Sequence, residues 1–326
     1  MLPMKLIYYG VSEEEIAYIE RWQFIHKTPV TIVMEGLSWE NIHLAAGHDG
    51  ICLYPSLAMQ QDESLYQRLH ILGMKQLSIK STGVDGVRFD WAQKHQLTVT
   101  NVPSYSPTSV GHYTVMSILM ALRNIPAMIK GKLDRRSVIG RELQDVTVGL
   151  LGTGRIGALV AEAIYHMGGH VIATSRSENP RLKGIVEYVS FETLIAASDV
   201  LSIHIPLTKA SEGLFSASVF AQMKPGSCLV NTARGGIVDT DALIAALAQG
   251  RLSGAVLDAI ANEERYFSVG WDQNPYYQQL NQLPNVLLTP HIAYYTQLAV
   301  QEIAETALNN ARDILLEGQS ANTIAL

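Results

Sequence analysis

The feature that most constrains this chain is a rhythm: short β-branched runs alternate with amphipathic stretches almost from end to end. In the first hundred residues strands are predicted at 5–9, 29–34, 50–54, 77–81 and 97–101. A second series is predicted at 146–151, 171–175, 186–189, 200–205, 228–232, 254–257 and 286–288. Helical periodicity fills the gaps. Ser12-Glu13-Glu14-Glu15 has the form of a capping box, and Ile16, Ile19 and Trp22 follow on one face. Such alternation specifies parallel strands joined by helical crossovers. The expectation is an α/β chain with two doubly wound parallel-sheet domains, and 326 residues suffice for two at roughly 150 each. The seam falls between 101 and 146, where the apolar stretch 115–125 is predicted to be helical. A last helix is predicted over about 296–317, with Gly318 as its stop.

Apolar residues make up 48% of the chain and charged ones 17%, against about 25% charged in an ordinary soluble protein. The excess demands a large core, a subunit interface or a membrane. A membrane partner is not expected, because polar residues break every apolar run before the 18 or so needed to span. Met1 to Gly10 lacks the apolar core and cleavage site of a signal peptide, so a cytoplasmic location is expected. Nucleic acid is not expected either: the net charge is −6 and the basic residues are scattered. Cys52 and Cys228 sit in strand-like runs without ligand spacing; they read as buried hydrophobes, and no metal is expected.

Gly152-Thr153-Gly154-Arg155-Ile156-Gly157 follows one predicted strand and opens a predicted helix. In that setting G-x-G-x-x-G is the dinucleotide fingerprint. The first glycine makes the turn, the second admits pyrophosphate to the backbone, and the third lets helix and strand pack. At the end of the next strand, where an NAD enzyme usually carries Asp or Glu for the ribose 2′-OH, this chain has Ser175 and Arg176, with Glu178 nearby. A guanidinium and hydroxyls suit a 2′-phosphate, so NADPH acceptance beside NADH is expected. His204 and Pro206, at another strand end, and Thr232 are expected along the same cleft.

Three further strand ends carry Arg234, Glu263 and His291. Ligands of doubly wound sheets bind beyond the carboxyl ends of strands, so these side chains can converge beside a dinucleotide. They are what reduction of a 2-oxo acid requires: a planar cation for the carboxylate and ketone, a proton donor, and a carboxylate that keeps the donor protonated.

With Asn101-Val102-Pro103-Ser104-Tyr105-Ser106-Pro107, the Gly152 fingerprint, Val238-Asp239-Thr240 and Thr289-Pro290-His291-Ile292-Ala293-Tyr294-Tyr295-Thr296, the chain resembles the D-specific 2-hydroxyacid dehydrogenase family over nearly its whole length. Within it the likeness is to the D-lactate branch, including the vancomycin-resistance type. The resemblance implies that Arg234 binds substrate, His291 is the acid/base and Glu263 pairs with it. It also implies that the amides of Thr82 and Gly83, in Ser81-Thr82-Gly83-Val84-Asp85, hold the substrate carboxylate, that Tyr54 and Tyr105 border the pocket, and that Asp258 lies near the nicotinamide carboxamide. Where the family commonly reads Asp-Val-Tyr-Glu-Gly-Glu, this chain reads Asp258-Ala259-Ile260-Ala261-Asn262-Glu263 and then Glu264. Alignment on Asp258 selects Glu263.

The implied organisation is a flavodoxin-like substrate domain of residues 1–103 and 296–326 and a Rossmann NAD(P)-binding domain of 104–295, closing by a hinge. A homodimer is expected through Val115, Met116, Ile118, Leu119, Met120 and Leu122. The implied substrate is pyruvate, the alternative being a larger branched or aromatic 2-oxo acid. A cofactor-sensing relative and a scaffold that retains the fold are the non-enzymatic readings. The aromatic stretch with Tyr266, Phe267, Trp271, Tyr276 and Tyr277 is read either as a functional loop or as one that packs on its own rings.

Overall fold

A computed structural model describes residues 4–84, 86–131, 134–136, 138–267 and 270–324. The chain divides into two compact units, Met1–Ser106 with Tyr295–Leu326, and Pro107–Tyr294. The N-terminal Met-Leu-Pro and Asp85, which closes the Ser81 motif, lie outside the described residues, as do Ser268 and Val269 of the aromatic stretch.

In the first unit β1 (Leu6–Tyr9), β2 (Val30–Val33), β3 (Gly50–Leu53), β4 (Gln76–Ile79) and β5 (Thr98–Thr100) form one parallel sheet in the order β2-β1-β3-β4-β5. That is the flavodoxin-like doubly wound order. A parallel sheet covered by helices is buried on both faces, so its strands are apolar without alternation. Leu6, Ile7, Tyr8 and Tyr9 are accordingly all buried. The Glu13–His26 helix follows β1, and Glu15 accepts the Ser12 N–H at 2.8 Å from within its first turn. The Gln297–Glu317 helix packs in this unit, its Ala304, Ala307, Leu308 and Ala311 joining Leu6, Tyr8, Ile19 and Trp22 in one cluster. Gly318 ends it in the left-handed region at φ 75°.

The second unit holds β6 (Thr147–Leu151), β7 (His170–Thr174), β8 (Glu187–Tyr188), β9 (Val200–Ile203), β10 (Ser227–Asn231), β11 (Leu252–Leu257) and β12 (Val286–Leu288). Their order is β12-β11-β10-β9-β6-β7-β8, all parallel. This is the Rossmann order with one strand added, and its direction of winding reverses between β6 and β9. The predicted strand at 186–189 shrinks to two residues, because β8 is an edge with a partner on one side alone. The seam helix begins earlier than its apolar run, at Pro107, and extends to Leu122. Proline suits the first helical turn, where no N–H is needed. The expectation that this helix is apolar for a partner's sake is corrected in part: Ile118 and Leu122 join Val148, Val160 and Ile164 in this unit's own core. Met116 remains 43% exposed. Among the described residues, no helix is long and apolar enough to cross a membrane.

Candidate active site

The Gly152 turn lies between β6 and the Arg155–His166 helix. Gly152 adopts φ +100°, and a Cβ there would stand 2.8 Å from the His204 carbonyl oxygen. A Cβ on Gly157 would overlap the Gly152 carbonyl. Gly154, which caps the helix, is different: a Cβ on it would meet nothing within 4 Å. The first and third glycines are thus demanded by the protein's own packing, and the second opens a space at the positive end of a helix, the kind of place where pyrophosphate binds. The residues fit a dinucleotide. Ile156 points into the core and Arg155 is exposed.

Beyond β7, Ser175 Oγ accepts the Thr153 N–H at 3.4 Å, and Arg176 and Glu178 are exposed. Sequence reasoning missed the frame around them. Tyr188 Oη donates to Thr153 Oγ1 at 3.0 Å and accepts the Asn179 N–H at 2.8 Å, while Asn179 Nδ2 donates to the Thr153 carbonyl. His204, next to Gly152, meets Ser202 Oγ at 3.0 Å, and burial pushes its imidazole down to about 4. It is neutral at physiological pH. Pro206 is exposed and accepts a bond from Ser211. Thr232 is buried and its hydroxyl meets that of Thr114 at 2.8 Å.

Arg234, Glu263 and His291 follow β10, β11 and β12. Glu263 is 6% exposed; its Oε1 lies 2.6 Å from His291 Nδ1 and its Oε2 accepts the Ile260 N–H at 3.0 Å. Glu264 is exposed. Burial pushes the His291 imidazole down, but the hydrogen bond and the charge of Glu263, helped by Asp258 and opposed by Arg234, leave it raised above its ordinary value. Phe267 and Tyr294 stand edge-on to the ring, each with its centroid 6.1 Å away. Phe267 thereby separates from the rest of its aromatic stretch: Trp271 packs on Tyr277, and Tyr276 bonds Asp241.

His291 itself sits in the left-handed region at φ 53°, a conformation that surroundings must impose on a residue with a Cβ. Asp258 imposes it. Its Oδ1 accepts the Ile292 N–H at 2.9 Å and the Thr289 hydroxyl at 2.7 Å, its Oδ2 accepts the Ala293 N–H at 2.8 Å, and its carbonyl accepts the His291 N–H. Tyr113 Oη donates in turn to Thr289 Oγ1. Among the described residues Asp258 Oδ2 holds one donor, the Ala293 N–H. The Arg234 segment is fixed by Asn231, whose amide spans the Arg234 carbonyl and the Ala233 N–H. Gly235 then runs against the backbone of the Glu263 loop so closely that a Cβ would overlap the Ile260 carbonyl.

The predicted substrate-pocket residues Tyr54, Thr82, Gly83 and Tyr105 belong to the first unit. Thr82 Oγ1 donates to the Val102 carbonyl at 2.8 Å, and Asn101 Nδ2 donates to the Thr82 carbonyl at 2.9 Å. The N–H groups of Thr82 and Gly83 have no acceptor among the described residues. Tyr54 is 37% exposed, and the Lys80 ammonium lies 4.7 Å from its ring centre. Tyr105 is half-buried against the cluster that holds Tyr8 and Val102.

A family profile described as "D-isomer specific 2-hydroxyacid dehydrogenase, NAD binding domain" matches residues 115–293. The chain is 35% identical to a D-lactate/D-glycerate dehydrogenase of Pediococcus acidilactici, over 98% of this chain and 99% of that one. It is 31% identical to an aromatic 2-oxoacid reductase of Clostridium sporogenes, over 98% of each. A D-isomer-specific 2-hydroxyacid dehydrogenase of Lactobacillus delbrueckii, solved in its NAD-complexed form, superimposes with a TM-score of 0.86 at 32% identity, covering 98% of this chain and 100% of that one. The sheet order, the glycine turn and these likenesses agree, and the chain belongs to the D-isomer-specific 2-hydroxyacid dehydrogenase family.

Proposed function

We propose that the protein is a D-lactate dehydrogenase that interconverts pyruvate and D-lactate in the cytoplasm, with NADH or NADPH. The observation that carries this reading is the 2.6 Å contact of Glu263 with His291 Nδ1, in a unit built to bind a dinucleotide. It raises the imidazole above its ordinary value and so favours the protonated form that reduction of a ketone needs. When bound, the reduced nicotinamide supplies the hydride. With Nδ1 engaged by Glu263, Nε2 of His291 is the atom that protonates the substrate oxygen, and in the reverse direction the neutral ring takes that proton back. Arg234 binds the 2-oxo acid and stabilises the negative charge that grows on the oxygen, an effect larger in the transition state than in the ground state. The amides of Thr82 and Gly83 are proposed to hold the substrate carboxylate, bordered by Tyr54 and Tyr105.

Gly152, Gly154, Arg155, Ile156 and Gly157 would hold the coenzyme pyrophosphate, with His204, Pro206 and Thr232 along its cleft and Asp258 near the carboxamide. Ser175 and Arg176 would take the ribose end. A carboxylate there would repel a 2′-phosphate, and the exposed guanidinium attracts one. A second reading, reduction of larger aromatic 2-oxo acids, is favoured by one observation: Phe267, 58% exposed, stands against the His291 ring. A kinetic screen of pyruvate, phenylpyruvate, 2-oxoisocaproate and oxaloacetate with both coenzymes decides between them. Pyruvate is expected to give the highest kcat/KM, and phenylpyruvate in that place would select the second reading. A preference for NADH of about a hundredfold or more would sink the NADPH assignment.

We further propose a homodimer in which a second copy covers the solvent side of the seam helix around Met116, which is 43% exposed. Light scattering at micromolar concentration should report the mass of two chains; the mass of one would refute it.

A further inference from the structure

Lys80 is the residue between β4 and the Ser81–Gly83 loop, and its side chain is 1% exposed. The ammonium donates to Glu15 Oε1 at 2.9 Å, to Glu15 Oε2 at 2.6 Å and to the Gly10 carbonyl at 2.6 Å. The faces of Tyr8 and Tyr54 flank it, with ring centres 4.9 and 4.7 Å away. Glu15, 7% exposed in its side chain, also accepts the Ser12 N–H and the Tyr8 hydroxyl. One buried cation thus joins the carboxyl ends of β1, β3 and β4 and the start of the Glu13–His26 helix.

A buried ion pair of this kind is weak evidence for stability, because desolvation offsets the attraction and an apolar pair of similar volume is often as good. What apolar side chains cannot reproduce is direction. Three ammonium donors fix Lys80 relative to the Gly10 carbonyl and both oxygens of Glu15, and the chain leaves Lys80 directly into Ser81. The far side of the loop is pinned separately by Asn101 and Val102. Between these anchors the Thr82 and Gly83 N–H groups stay unpaired among the described residues.

We propose that Lys80 and Glu15 form a positioning pair for substrate binding, which holds the Thr82–Gly83 amides and the Tyr54 ring where a 2-oxo acid carboxylate is received. The pair touches neither coenzyme nor reacting atoms, and the proposal rests on the dehydrogenase reading above. The two are separable. The wild-type enzyme is assayed first, and failure to turn over any 2-oxo acid would sink the dehydrogenase reading itself.

The test uses the double variant Lys80→Met/Glu15→Leu, which removes both charges at similar volume, and the isosteric single variant Glu15→Gln. The pyruvate KM should rise by about tenfold in the folded variants while kcat stays within about twofold and the NADH dissociation constant, from fluorescence titration, is unchanged. The double variant should melt near the wild-type temperature. An unaltered KM in a folded variant overturns the proposal. So does a joint change in KM, kcat and coenzyme affinity, which is a general loosening. Loss of folded protein in both variants would assign the pair to the fold, and overturns it equally.

Discussion

Each unit carries an acid–base pair at the carboxyl ends of its strands, and the two pairs are treated in opposite ways. Lys80 and Glu15 are sealed off, at 1% and 7% exposed, with all the partners the ammonium can use. His291 and Glu263 share a contact of 2.6 Å, yet the histidine side chain is 25% exposed, and among the described residues its Nε2 has no hydrogen-bond partner. A charge pair closed on every side can only hold parts together. One left open on one atom can exchange a proton. The supports differ too: a separate carboxylate, Asp258, holds the backbone that carries the histidine, Glu263 Oε2 accepts the Ile260 N–H, and the glycine contact at position 235 sets the Arg234 segment against the Glu263 loop.

The contrast can be broken by substitution, beginning with the largest effect. His291→Gln should lower kcat about a thousandfold and leave coenzyme affinity and melting temperature near wild type; near-normal turnover would refute the acid/base role. Glu263→Gln should lower kcat by about tenfold or more, and it should also move the pH profile. On the proposed reading the raised His291 imidazole supports reduction of the 2-oxo acid below its folded pKa, and the rate falls as pH rises through it. Loss of the Glu263 bond and charge leaves burial to pull the imidazole down, so that fall moves to lower pH. In the reverse oxidation of the 2-hydroxy acid, which needs the neutral ring, the acid limb moves the same way. Glu264→Gln, at an exposed neighbour, should change neither rate nor profile, and the reverse pattern would transfer the pairing to Glu264. The Lys80 and Glu15 variants complete the series with the smallest change in kcat and a selective change in KM.

What was legible beforehand follows how local each signal is. Continuous apolar runs such as Cys228-Leu229-Val230 and Ala255-Val256-Leu257 announce strands covered on both faces, and the Gly152 motif is readable because its three glycines act within six residues. Alignment of the Asp258 segment with the family pattern selects Glu263 over Glu264, and Glu263 is the carboxylate that meets His291. The early start of the seam helix at Pro107 was missed although its signal, a proline ahead of an apolar run, was present. The Lys80–Glu15 pair spans 65 positions and the Tyr113–Thr289–Asp258 chain joins three elements. Neither has a periodicity or a motif; each exists only because the sheet order brings strand ends together. Thr289 and Asp258 did stand in recognised segments, but their bond to one another had no sequence trace.

The glycine at 235 has a consequence for how this enzyme can change. Any side chain there would strike the Ile260 backbone, so the loop that carries Arg234 and the loop that carries Glu263 keep this close approach only while position 235 stays glycine. New substrate preferences would therefore be sought elsewhere, on surfaces that can be rewritten one residue at a time, such as the exposed Phe267 beside the histidine.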